Sequence, residues 1–139
     1  MKRKLGSIAV ILFYGIGACL LVWLIYQNGV WPGGSDTMCH VYKGDILYKE
    51  ILKGNFYPLI DPLWYNGVEM MRYWAPLPVY VLALCQALAG GDLFYGYLLF
   101  VGGVFFFGAL VWLHIGSRHG RWKLGAFLGA LWFFMPNNL

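Results

Sequence analysis

Residues 5–26 read LGSIAVILFYGIGACLLVWLIY and contain no charged side chain. Wound as a helix at about 1.5 Å per residue, a stretch of roughly 20 residues crosses the ~30 Å hydrocarbon core of a bilayer. Lys2, Arg3 and Lys4 stand directly before it, which by the positive-inside rule predicts a cytoplasmic N-terminus. A cleaved signal peptide is the rival reading, but its apolar region is usually only about 7–15 residues. Ile16-Gly17-Ala18-Cys19 resembles a lipoprotein cleavage box. Apolar and aromatic residues continue past Cys19, so Cys19 reads instead as a small buried residue of a membrane helix.

The composition agrees with that stretch. Of 139 residues, 60% are hydrophobic and 12% charged, against about 45–50% and about 25% in a soluble domain. That excludes a disordered chain, a disulfide scaffold and an ordinary soluble enzyme. Asp36, Asp45, Glu50, Asp61, Glu69 and Asp92 all lie between two basic clusters, Lys2-Arg3-Lys4 and Arg118 with Arg121 and Lys123. Basic residues that flank apolar runs do not form the continuous face a nucleic-acid binder needs, so no nucleic-acid partner is expected. Cys19, Cys39 and Cys85 are odd in number and show no metal or redox spacing.

Working outward, residues 93–115 form a second span-length run, and residues 124–139 begin a third. Residues 79–89 are apolar but short, bounded by Pro76 and Pro78 on one side and Gly90-Gly91 on the other. Their length suits a juxtamembrane helix better than a crossing. If they do not cross, both basic clusters lie on the cytoplasmic side. The expected fold is all-α: a polytopic transmembrane helical protein with spans at about 5–26, 93–115 and 124–139. Its external loop covers 27–92 and includes the short helix 79–89. Residues 1–139 then read as the N-terminal part of a multi-pass cell-membrane protein whose partners are the bilayer and the remaining membrane helices. Gly125-x-x-x-Gly129, with Gly96, Gly102, Gly103 and Gly108, predicts close helix packing.

The external loop carries the polar chemistry. Ser35 is a good helix cap, Asp36 suits a first turn, and Gly54 suits the position after a helix end, so 36–53 reads as one helix. Asp45 and Lys49 are spaced to pair at i, i+4. Asp36, His40 and Lys43 fall on one helical face, at i, i+4 and i+7. A carboxylate, an imidazole and an amine together suggest an acid/base or ligand-binding cluster; the alternative is a solvated face. Two mixed ligands, Asp36 and His40, do not specify a metal. Asn66-Gly67 marks a tight turn. Trp64 and Tyr65 offer flat faces on which a sugar can stack, or else belong to an interfacial aromatic belt. Glu69 and Arg72 are spaced to pair.

These features occur in a recognisable order. Gly34-Ser35-Asp36 leads to His40, then Lys53-Gly54-Asn55-Phe56-Tyr57-Pro58, Trp64-Tyr65-Asn66-Gly67 and Tyr73-Trp74-Ala75-Pro76-Leu77-Pro78-Val79-Tyr80. Over nearly its whole length the chain resembles the N-terminal part of GT-C glycosyltransferases. It looks closest to the prokaryotic membrane proteins called 6-pyruvoyl-tetrahydropterin-synthase-related. The resemblance implies a membrane enzyme that takes a sugar from a polyprenyl-phosphate donor. It also implies juxtamembrane helices in the first external loop and an essential acid early in that loop, matched here by Asp36. Glu69, before the Pro-Leu-Pro stretch, matches a second acid. His40, Lys43, Arg72, Trp64 and Tyr65 are the candidate substrate-binding residues, with Lys43 or Arg72 steadying the phosphate. Some relatives use a divalent metal and others do not. The later spans that complete such a site are absent from these 139 residues. A non-catalytic membrane subunit and a transporter or flippase fragment are the other classes. Spans without internal charge count against the transporter.

Overall fold

A computed structural model describes residues 2–29, 31, 36–61, 67–69, 71–72 and 75–135. The described residues form five helices and one small hairpin: α1 (Lys2–Asn28), α2 (Thr37–Leu52), β1 (Ile60–Asp61), β2 (Val68–Glu69), α3 (Pro76–Leu88), α4 (Leu93–Arg118) and α5 (Trp122–Trp132). Two of them, α1 from Gly6 and α4, are long and apolar enough to cross a membrane. In the most apolar stretch of α1 only 11% of residues are buried within the chain, and in that of α4 only 22%. Packing inside this chain therefore does not account for their apolar surface, which is the opposite of a soluble core helix.

The chain divides into two compact units. The helical unit comprises Met1–Trp31 and Val101–Leu139. Its contacts have a consistent order along α1: Gly6 lies against Trp122, Gly15 against Phe106, Gly17 against Phe133 and Gly102 against Val22. So α4 runs antiparallel to α1 while α5 runs parallel to it, and the start of α1 and the α4–α5 turn share one end. Buried Tyr14, Ala109 and Leu113 form the core, with Val10, Phe106, Leu110, Ala126, Ala130, Trp132 and Phe133 around them. The Tyr14 hydroxyl donates to the Ala126 carbonyl at 2.7 Å, joining α1 to α5.

Of the glycines expected to permit close packing, Gly96, Gly102, Gly108, Gly125 and Gly129 do so, whereas Gly103 meets only Phe107 of its own helix at 3.9 Å. Gly116, not among those expected, joins them: a Cβ on it would sit 2.5 Å from the Gly125 Cα, and one on Gly125 would sit 2.6 Å from the Trp112 carbonyl oxygen. Without side chains there, the α4 and α5 backbones touch. Two expectations need correction. Cys19 is exposed on α1 rather than buried. The helix expected over 124–139 starts at Trp122 and ends at Trp132; residues 136–139 lie outside the described residues.

The loop unit, Pro32–Phe100, is built on α2 packed against α3. Leu47, Met71, Val79 and Ala83 form its buried centre. Gly44 makes the approach close, since a Cβ there would lie 2.6 Å from the Leu82 side chain. α3 starts at Pro76, three residues before the expected 79–89, and has Pro in its first turn. Proline is tolerated there because first-turn N–H groups have no intrahelical acceptor. α3 carries no charge and is apolar on two sides: Val79, Leu82 and Ala83 are buried, while Leu77, Leu84 and Leu88 are exposed. The turn into α4 uses Gly90 and Gly91 at φ +71° and +93°, a region that disfavours side chains. Asp92 then caps α4, its Oδ1 accepting from the Tyr95 N–H at 2.8 Å.

Candidate functional site

α2 carries most of the expected site. It ends as expected: Gly54 has φ +85°, and its N–H reaches the Ile51 carbonyl at 2.9 Å. Its start differs. Ser35, the expected cap, lies outside the described residues. Asp36 occupies the cap position at φ −110°, ψ −5°, rather than the first turn, and makes no side-chain cap bond. A capping side chain folds back from extended backbone, whereas Asp36 has helical ψ. Its carbonyl accepts from the His40 N–H at 3.0 Å, and its carboxylate is left exposed.

The Asp36, His40 and Lys43 stripe is not one open face. Asp36 and His40 are exposed, whereas Lys43 retains only 2% of its surface. Lys43 shares its side of α2 with Val41, Gly44 and Leu47, all buried. Burial lowers the Lys43 pKa, opposed in smaller part by the neighbouring Cys39 and Asp36. The stripe thus runs from an exposed carboxylate to a buried amine.

Two polar residues inside the loop unit escaped the sequence reading. Asp61, on β1, is 1% exposed and accepts a hydrogen bond from the Tyr42 side chain, which with burial raises the Tyr42 pKa. Gln86, on α3, is also buried. Its Nε2 donates to Asp45 Oδ1 at 2.9 Å and to the Gly91 carbonyl at 3.1 Å. Asp45 meanwhile makes the expected pair with Lys49, at 2.5 Å. The local pattern marks Asp61-Pro62 only as a turn. Its burial depends on the hairpin, in which Ile60 pairs with Glu69 and Asp61 with Val68.

Glu69 and Arg72 form the expected i, i+3 pair, with Arg72 donating to both Glu69 oxygens at 2.8 and 2.6 Å. The carboxylate holds the Arg72 pKa above its usual value. Both side chains are exposed and already engage each other, so an added phosphate competes with Glu69 for Arg72. Trp64 and Tyr65 lie outside the described residues. No group of three His, Cys, Asp or Glu side chains gathers among the described residues. Asp36 and His40 alone are too few donors to specify a metal.

A family model described as 6-pyruvoyl-tetrahydropterin synthase related domain, a membrane protein, matches residues 71–139. The match covers α3, α4 and α5 and stops short of α2. No curated protein and no solved structure matches the chain at a significant level. The similarity to a membrane-protein family and the two long apolar helices both point to a membrane location.

Proposed function

We propose that this chain is the N-terminal part of a GT-C-type membrane glycosyltransferase that uses a polyprenyl-phosphate-linked sugar. α1 and α4 cross the membrane, the α1 start and the α4–α5 turn are cytoplasmic, and the loop unit faces outside. The shared end of the two basic clusters supports this sidedness under the positive-inside rule. The observation that carries the catalytic reading is the exposed Asp36 carboxylate, free of any capping bond, eight residues beyond the end of α1.

In this reading Asp36 takes the proton of an acceptor hydroxyl. The oxygen forms a bond to the anomeric carbon as the bond to the phosphate oxygen breaks. Polyprenyl phosphate leaves with the electron pair, and as a stabilised anion it needs little acid assistance. The remainder of the polypeptide completes the donor and acceptor sites.

The test is Asp36→Asn in the full-length protein, with transfer followed from a polyprenyl-phosphate hexose labelled in the sugar. Loss of a general base costs about 10²–10⁴-fold in rate. The helix start loses little, because Asp36 makes no cap bond. Glu50→Gln is the control, since among the described residues Glu50 bonds to neighbouring Lys53 and Asn55 at the far end of α2. Asp45 is unsuitable because it also holds Gln86. Activity retained in Asp36→Asn favours the second reading, a non-catalytic membrane subunit. One observation supports that alternative: the family match omits Asp36.

A further inference from the structure

The helical unit contains no Asp or Glu, while Lys2, Arg3, Lys4, Arg118, Arg121 and Lys123 all belong to it. The two basic segments are more than a hundred positions apart in sequence, and the fold brings them to one end. Gly6 lies two residues after Lys4 and packs against the Trp122 ring, 3.0 Å from where its Cβ would be. Trp122 itself sits between Arg121 and Lys123. Arg118, His119, Arg121 and Lys123 are all exposed. The ion pairs of the described residues, Lys49–Asp45, Lys53–Glu50 and Arg72–Glu69, all lie in the loop unit.

Intramolecular electrostatics do not favour most of these positions. Lys2, Arg3 and Lys4 occupy the first turn of α1, and Arg121 and Lys123 flank the start of α5. Cations are disfavoured at helix N-termini, where the dipole is positive. Only Arg118, in the last turn of α4, stands where the dipole welcomes it. The compensating negative charge therefore has to come from outside the chain.

We propose that this end of the helical unit binds the headgroups of anionic phospholipids, with Trp122 at the boundary between headgroup and acyl chain. Charge complementarity and position single out this partner: the cluster caps the ends of two membrane-length helices, where a lipid phosphate sits. Clusters of four or more Lys and Arg beside a span are the sequence mark of anionic-lipid recognition. The inference requires that α1 and α4 cross a bilayer and is independent of sugar transfer.

Full-length protein in nonionic detergent is titrated with phosphatidylglycerol or phosphatidylcholine, and bound lipid is counted by native mass spectrometry. Phosphatidylglycerol binds more tightly, and Arg118→Gln/Arg121→Gln/Lys123→Gln removes most of that preference. Each basic residue near an anionic surface contributes about fivefold, so three account for up to about 10²-fold. Lys49→Gln/Lys53→Gln, which removes charge from α2, leaves the preference intact. Equal binding of the two lipids by wild type overturns the proposal, as does an unchanged preference in the triple variant. Full displacement by millimolar inorganic phosphate also overturns it, by revealing a free-phosphate site. Should the triple variant precipitate, wild type decides: raising salt from about 0.05 to about 0.5 M weakens binding of the anionic lipid if charge drives it, and salt-independent binding refutes the idea.

Discussion

In the helical unit α4 and α5 meet backbone to backbone, Gly116 on Gly125 and Gly125 on the Trp112 carbonyl, and Gly129 admits the Tyr14 hydroxyl. In the loop unit Gly44 faces the Leu82 side chain and Gly96 the Gln86 backbone, and Gln86 bridges Asp45 and the Gly91 carbonyl. Both units use glycine for close approach; what divides them is charge, with every acid in the loop unit. Between membrane helices, burial of apolar surface gives little advantage, because lipid is as apolar as leucine. Contact then has to come from close approach, which glycine permits. In the loop unit buried polar side chains are bridged, Gln86 Nε2 to Asp45 and the Gly91 carbonyl and Asp61 to Tyr42. The division of charge and of polar bridging agrees with different surroundings for the two units.

The sharpest way to break that contrast is a matched pair of glycine substitutions. Alanine gains about 1 kcal/mol of helix propensity over glycine at either position. At Gly125 the new methyl meets backbone atoms that cannot move without separating α4 from α5, and overpacking of that kind costs about 1–3 kcal/mol. At Gly44 it meets the buried Leu82 side chain, with Cδ2 and Cγ at 2.6 and 2.8 Å, but no backbone, so side-chain repacking relieves part of the clash. Thermal unfolding in detergent is expected to show Gly125→Ala clearly more destabilised than Gly44→Ala. Equal losses would mean that the two interfaces are packed alike.

Gln86 tests the loop unit from the polar side. Gln86→Leu keeps volume but removes both hydrogen bonds, and leaving the Gly91 carbonyl without its donor costs about 1–3 kcal/mol. The expected result is a lower melting temperature, with proteolysis quickened in the loop unit. Tyr14→Phe is the counterpart in the helical unit, deleting the bond to Ala126. Interhelical hydrogen bonds within membranes average only about 0.6 kcal/mol, so a smaller shift is expected. A Tyr14 effect larger than the Gln86 effect would reverse the argument.

What could be read in the sequence follows from the range of the forces involved. α1 and α4 were legible because an apolar run with a basic flank is a local property. So were the Gly54 helix end, the Asp45–Lys49 and Glu69–Arg72 pairs and the glycine contacts, each set by spacing along one segment. The start of α3 was placed late because prolines that end one helix can open another. The burial of Lys43 and Asp61 was not legible at all. The α3 helix and the β1–β2 hairpin bury them, and nothing within a few residues of either position encodes that packing. As a result a stripe that looks like three equivalent polar groups starts at an open carboxylate and ends at a sealed amine.

Lys43 gives the smallest expected effect and the most specific one. Burial lowers its pKa below the usual 10.5, so the folded protein loses this proton before the unfolded chain does. Between the lowered value and about 10.5 the unfolded state binds more protons, and stability rises with pH. Below that window both states are protonated and the burial penalty persists. Tyr42 and Cys85 act with the opposite sign, since their pKa values are raised above 10.0 and 9.0 and stability falls once the unfolded groups ionise. Wild type and Lys43→Met share both groups, so the Lys43 contribution is the difference between their profiles. Melting temperatures taken at steps from about pH 8 to about 10.5 are expected to rise in wild type relative to Lys43→Met, which fills the same space without a charge. A Lys43→Met profile parallel to wild type would show that the amine stays charged when folded. It would then be held by a partner strong enough to cancel its burial, and Lys43 would return to the list of groups able to meet a phosphate.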